Sequence, residues 1–253
     1  MDKDELRKIM ISIVASGLVN DNGAEGAYER AKHVVDYIED GERPLKHIVT
    51  TRVIFQDEEL MIKYLELAKE IFVPSLRCQT VDDYELVIIM NIKHLDIVRD
   101  YIDIPFEPIT NLEAYRDYVI RNKCTIQTRH DLDDYMDKHY LETIKNIYKN
   151  NIGEQDKMLI QAQPEAMTYG CKEKGSMNDY ADKRTSMCIS LCQKDVTTSV
   201  WDKPHGQLWQ LVPFVYTLPE GYVTRVLHGH SITNRLTDHS DTLQYELLDD
   251  KRD

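Results

Sequence analysis

A chain of 253 residues, 42% of them hydrophobic, is long enough for one sizeable core with a small appendage. Its net charge of −13 gives a field that steers it away from nucleic acid and anionic membranes. The five cysteines (Cys78, Cys124, Cys171, Cys188 and Cys192) are odd in number and scattered, which excludes a disulfide framework and fits a reducing, cytoplasmic setting. The longest apolar run, Ile9 to Val19, is too short to cross a bilayer. It follows Asp2, Asp4 and Glu5, the wrong charges for a signal peptide.

In chain order, residues 4–19 and 25–40 read as two helices joined at Asn20-Asp21-Asn22-Gly23. In the second, Ala27, Ala31, Val34, Val35 and Ile38 recur at helical spacing until Gly41 and Pro44 stop the pattern. Residues 1–45 are thus expected to form a helical hairpin that packs on the main domain. His47 to Phe55 is β-branched and reads as a strand. Glu58 to Leu76 follows as a helix with Leu60, Tyr64, Leu67, Ala68 and Ile71 on one face. Tyr84 to Met90 is a continuous apolar strand of the kind buried on both faces. His94 to Tyr101 is a helix, Phe106 to Ile109 a strand, Leu112 to Arg121 a helix, Cys124 to Thr128 a strand and Asp137 to Lys149 a helix. This alternation predicts an α/β fold with a mainly parallel, Rossmann-like sheet flanked by helices.

After Asn151 the alternation fails. Lys157 to Gln163 and Met187 to Cys192 read as strands around a polar loop from Gly170 to Arg184, and Val223 to Leu227 as a last strand. The main domain spans 46–237, and an acidic tail occupies 238–253.

The chemistry concentrates at Thr128-Arg129-His130-Asp131-Leu132-Asp133-Asp134, where a strand runs into three carboxylates within four positions. Carboxylates this close repel one another, and a hard divalent cation, Mg²⁺ or Mn²⁺, relieves the repulsion. Strand ends in open α/β sheets are also where ligands bind. The plain alternatives are a solvated turn, a helix cap by Asp134 or Asp137, and an ion pair between Arg129 and Asp131. Cys188 and Cys192 read as buried thiols. With Cys171 and His205 they would make an irregular zinc set without a C-x-x-C motif.

Taken in order, Thr50-Thr51-Arg52, Pro74-Ser75-Leu76 with Gln79-Thr80, the Asp131 to Asp134 segment, His205-Gly206 after a tryptophan, and His228-Gly229-His230-Ser231-Ile232-Thr233-Asn234 resemble a nucleotide-sugar-dependent glycosyltransferase of the GT-A fold. More narrowly, they resemble putative rhamnosyltransferases over residues 47 to 236. The hairpin before Pro44 is outside the resemblance, and His230 departs from it. The resemblance implies Mn²⁺ or Mg²⁺ held by Asp133, with Asp131 on the ribose or a metal-bound water. Asp134 would be a second ligand or support, and His228 would approach from the C-terminal side. Thr51, Arg52, Asn91 and Arg129 would meet the nucleotide. Asp202 and His205 would contact the acceptor, one of them as general base, and Trp201 or Trp209 would stack on a sugar. The implied partners are a nucleotide-sugar donor and a hydroxyl acceptor; a hydroxylated DNA base is disfavoured by the net charge, and stable membrane insertion is not expected. The competing readings are a nucleotidyltransferase, which would want a glycine-rich loop after the first strand, and a nucleotide-sugar-binding module without turnover.

Overall fold

The computed structural model describes residues 8, 9, 12, 45–151, 155–168, 174–176 and 188–228. Apart from residues 8, 9, 12 and 45, the expected N-terminal hairpin lies outside the described residues, as do the acidic tail and His230. No helix among the described residues is long and apolar enough to cross a membrane.

The first half alternates as expected. Strand β1 (His47–Val53) leads to α1 (Glu58–Leu67), a π-helical turn (Ala68–Phe72) and α2 (Val73–Arg77). Then come β2 (Tyr84–Met90), α3 (Leu95–Tyr101), β3 (Glu107–Ile109), α4 (Leu112–Arg121), β4 (Ile126–His130), β5 (Asp134–Met136) and α5 (Tyr140–Asn151). The second half is mostly strand: β6 (Lys157–Thr168), β7 (Lys174–Ser176), β8 (Cys188–Gln193) and β9 (Phe214–Leu227).

The sheet runs in the order β3-β2-β1-β4-β8-β6-β9-β5, with β7 added to β6. Strands β3, β2, β1 and β4 are mutually parallel, and β9 runs parallel to β6. Strand β8 is antiparallel to both its neighbours, β7 is antiparallel to β6, and β5 is antiparallel to β9. Parallel pairing carries most of the ladder, so the α/β expectation holds. One departure is β7, which lies where a loop was expected. Another is β9, which begins at Phe214 rather than Val223. Between Leu218 and Val223 the ladder against β6 breaks register, with Gly221 at φ +102° inside the irregular stretch. Only glycine adopts such a φ cheaply.

Both faces of the sheet are covered, as the unbroken apolar run of β2 requires. Leu86, Ile88 and Met90 join a core with Met61, Leu65, Phe72, Leu76, Val98, Tyr140 and Ile144. Val87 and Ile89 face Ile48, Tyr115, Val119, Val200 and Trp201 on the other side.

The π-helical turn has a local cause. Pro74 carries no amide hydrogen, and its ring would crowd the carbonyl of Glu70 in a continuous α-helix. A wider turn relieves the clash. It also stacks Phe72 on His130, with ring centroids 5.1 Å apart. Burying the Phe72 ring contributes about 1.5–3 kcal/mol, and it fixes the residue directly before Asp131.

Helix α4 matches its expected bounds because its cap is written in the sequence. The Asn111 side chain accepts the Ala114 amide at 2.9 Å. Asn111→Ala should lower unfolding free energy by about 1 kcal/mol in urea titration. An unchanged midpoint would show that the cap contributes nothing.

Candidate functional site

Because β1, β2 and β4 are parallel, their C-terminal ends lie along one edge of the sheet. That edge collects Arg52, Asn91 and Asp131. Strand β4 ends two residues later than the sequence suggested, so Arg129 and His130 belong to it, and the carboxylates start where it stops.

Strand β9 completes the cluster from the far end of the chain. Its antiparallel register with β5 sets Asp134 opposite Arg225. This brings His228 back to Asp133, with Nε2 2.8 Å from Oδ2 and the two side chains only 2% and 18% exposed. Two of the expected metal ligands, 95 positions apart, are therefore in direct contact. Tyr64 of α1 meets the His228 ring edge-on at 5.4 Å and touches Phe55 at 5.0 Å. Burial, and then the charges of Asp133, Asp131 and Asp134, push the Tyr64 hydroxyl up to about 12. Sequence reasoning missed Tyr64 as a site residue. It sat on the apolar face of a helix, and its hydroxyl was the one hint.

Asp134 has a different task. It is buried within β5, and its Oδ1 accepts the Val226 amide at 3.1 Å, tying β5 to β9. Burial raises its carboxyl well above the usual range, and the neighbouring Asp133 and Asp131 raise it further. It does not cap the following helix, which begins at Tyr140. Asp137 does so instead, accepting the His139 amide on Oδ1 and the Tyr140 amide on its carbonyl.

A second group forms on the opposite face. Thr50 and Arg52 alternate onto the side of β1 that carries Ile48. Thr51, expected at the nucleotide, is buried on the other side with Val49 and Val53. Trp201 donates its indole N–H to Thr50 Oγ1 at 3.2 Å. Over its ring lie the guanidinium carbons of Arg52 at 4.5 Å and Arg129 at 3.9 Å. Trp201 is therefore occupied by arginines, and Trp209, with its N–H on the Gly206 carbonyl, is the more exposed tryptophan at 42%. Arg129 is buried, and burial lowers its guanidinium to about 10, with Asp131 opposing and Arg52 adding to the shift.

Asp131 is the hinge between the two groups. Its Oδ1 lies 3.9 Å from Arg129 Nε and 3.8 Å from His205 Nε2. Asp202, the other expected acceptor contact, is committed to its own loop. Its Oδ2 accepts the Ser199 amide at 3.1 Å and lies 4.0 Å from Arg116. Asn91 stands at the end of β2, where its Oδ1 accepts the Lys93 amide at 3.2 Å.

Among the described residues no three His, Cys, Asp or Glu side chains converge into a complete metal cage. Asp133 and His228 nevertheless supply a carboxylate oxygen and an imidazole nitrogen at one point. The carboxylate suits Mg²⁺ or Mn²⁺, which take few protein ligands and complete their shell with water and phosphate oxygens, and the imidazole favours Mn²⁺ of the two. Among the described residues no zinc set forms. Cys188 and Cys192 are thiols buried in the core and His205 turns to Asp131, while Cys171 lies outside the described residues.

No protein-family model matches the chain, and no curated protein matches it. Among solved structures the chain is similar to S. aureus TarS 1–349 in complex with UDP-GlcNAc, at 13% identity and a TM-score of 0.45, over 72% of this chain and 59% of that one. A structure of S. aureus TarS matches at 10% identity and a TM-score of 0.45, over 72% of this chain and 36% of that one. A cytidylyltransferase from Leptospira borgpetersenii serovar Hardjo-bovis matches at 10% identity and a TM-score of 0.41, over 70% of this chain and 76% of that one. The chain thus spans less than two thirds of the length of the TarS structures it resembles.

Proposed function

We propose that this domain is a divalent-metal-dependent glycosyltransferase that moves a sugar from a nucleotide-sugar donor to a hydroxyl acceptor in a reducing, cytoplasmic setting. The observation that carries the reading is the Asp133–His228 contact at the strand-end edge, beside Asp131 and two arginines. When bound, Mn²⁺ or Mg²⁺ supplies positive charge for the diphosphate that leaves with the nucleoside. Asp133 and His228 would hold it, and Asp134 fixes the two strands that bring them together. Asp131 accepts from the ribose or a metal-bound water. Arg52 and Arg129 face the phosphates, and Asn91 the nucleoside.

His205 is the better general base of the two candidates. Its ring takes the acceptor hydroxyl proton, and Asp131, whose Oδ1 lies 3.8 Å from Nε2, stabilises the imidazolium that results. Asp202 holds the loop instead. The exposed indole of Trp209, on the same short helix as His205, offers a stacking face for a sugar.

A nucleotidyltransferase is less well supported. The turn after β1 contains no glycine, and α1 opens with Asp57, Glu58 and Glu59, the Asp57 side chain already accepting the Glu59 amide. A helix N-terminus so loaded with negative charge repels a triphosphate.

The test is a thermal-shift panel of nucleotides and sugar nucleotides with and without Mn²⁺. The substrate nucleotide should raise the melting temperature with Mn²⁺ present, by about 2.7 kcal/mol of added stability at 100 times its dissociation constant. No nucleotide raising it in either condition would end the reading. Release of nucleoside diphosphate from a sugar nucleotide, rather than pyrophosphate from a nucleoside triphosphate, separates the two enzyme classes.

A further inference from the structure

Arg52 and Arg129 sit together although like charges repel. Among the described residues Arg52 meets no carboxylate. Arg129 Nε is buried without a hydrogen-bond partner among them, its nearest carboxylate oxygen 3.9 Å away on Asp131. What the two guanidinium groups share is the indole of Trp201. The π-face of an indole attracts cations, and the attraction grows when water is excluded, as it is around this ring with 8% exposure.

The indole is held from three sides. Its N–H is fixed on Thr50 Oγ1. Its backbone amide donates to Ser199 Oγ at 3.0 Å, and the Ser199 amide donates to Asp202 Oδ2. The loop before it is pinned to the sheet. Gln127 accepts the Val200 amide at 3.1 Å and donates to the Thr198 carbonyl at 3.0 Å, and Gln193 donates to the same carbonyl at 2.8 Å. This is a rigid platform beneath two forked cations, one of them with a buried Nε–H unspent among the described residues.

We propose that Trp201 is a positioning residue that holds Arg52 and Arg129 as a paired seat for a diphosphate, the pyrophosphate group of the donor. The inference rests on the nucleotide-sugar reading above and adds to it the residue that organises the anion site. A planar guanidinium matches two phosphate oxygens at once, and two of them on one platform match the two phosphates of a diphosphate. The seat lies on the Asp131 side of the edge and needs no metal to form, so it can be probed without one.

The probe is inorganic pyrophosphate, titrated calorimetrically without divalent metal. The parent chain should bind it. Trp201→Leu, which keeps an apolar side chain but removes the π-face, should weaken binding about tenfold or more, and Trp201→Phe should retain most of it. Arg52→Gln should weaken binding similarly. The Trp201→Leu/Arg52→Gln double variant should lose clearly less than the sum of the two, because Trp201 acts through the arginine. Pyrophosphate bound equally well by folded Trp201→Leu, or strictly additive losses, would overturn the proposal. Trp209→Phe leaves Trp201 as the sole tryptophan of the two in the chain, so a reading that does not depend on how Trp201→Leu folds is available. In that background pyrophosphate should change the indole emission, and Arg52→Gln should abolish the change; a silent indole in Trp209→Phe overturns the proposal. Trp201-dependent pyrophosphate binding without turnover of any sugar nucleotide would leave the seat standing and remove the glycosyltransferase reading. Undiminished sugar-nucleotide turnover in Trp201→Leu would do the reverse.

Discussion

Asp133→Asn should reduce sugar-nucleotide turnover by about 100-fold or more while leaving the fold intact. The amide keeps the volume of the carboxylate but removes the charge that pairs with His228 and holds the cation. Stability is pulled two ways. The contact at 2.8 Å with His228 loses its charge assistance. Against this, Asp133 is the charge that, after burial, most raises the Asp134 carboxyl, so its removal eases a buried repulsion. The melting temperature without metal should therefore move little, and the Mn²⁺-dependent rise with nucleotide should vanish. Unchanged nucleotide affinity in Mn²⁺, measured by calorimetry, would remove Asp133 from the ligand set. His228→Ala separates the rival view of a packed structural histidine. A variant that melts early but turns over normally once folded would mean that His228 only packs.

Acid should destabilise the fold steeply between pH 6.5 and 4.5, by about 5 kcal/mol, from two histidines alone. His47 is buried with its Nε2 2.7 Å from Thr128 Oγ1, and burial lowers its ring to about 3. His130 is buried against Phe72, and burial lowers it to about 4. In the unfolded chain both protonate near about 6.5. The unfolded state therefore binds more protons in this window. The stability is fully present above 6.5 and is lost as pH falls toward the folded values. Asp134 works in the opposite sense, since its raised carboxyl keeps a proton that the unfolded chain gives up near about 3.9. Urea midpoints at pH 7, 5.5 and 4.5 read the net slope. His47→Gln should flatten it by about 2–3 kcal/mol across the window; a profile as steep as the parent's would show that His47 is not the group that titrates.

The parts of the fold legible in sequence were those with a strong local code. Strand β2 announced itself by an unbroken apolar run, and α4 was read over Leu112 to Arg121, the bounds it has. The acidic cluster was correctly put at a strand end, although β4 itself was drawn two residues early because Arg129 and His130 look like surface. They are buried by Trp201 and Phe72, partners 72 and 58 positions away in sequence, which no local pattern reveals. Strand β5 has three residues and begins with an aspartate, so it read as a turn or cap. Only its pairing with Arg225, Thr224 and Val223 makes it a strand. In the site, the identity of the charged residues was legible but their allegiance was not. Nothing in the sequence said that Asp202 would be spent on Ser199, or that Trp201 would be claimed by two arginines.

The contact between Asp133 and His228 closes a span of 95 residues, and it has a consequence for how the protein comes into being. A ribosome releases the chain from its N-terminus, so the parallel half from β1 to β4 with its helices is complete while β9 is still to be made. At that stage Asp133 has no imidazole opposite it, and Asp134 has no Val226 amide to accept. Pairing across such long separations is the slow kind of step in assembly. The centre therefore comes into existence last, after the sheet that supports it, and a half-made chain exposes a bare strand end rather than a working one.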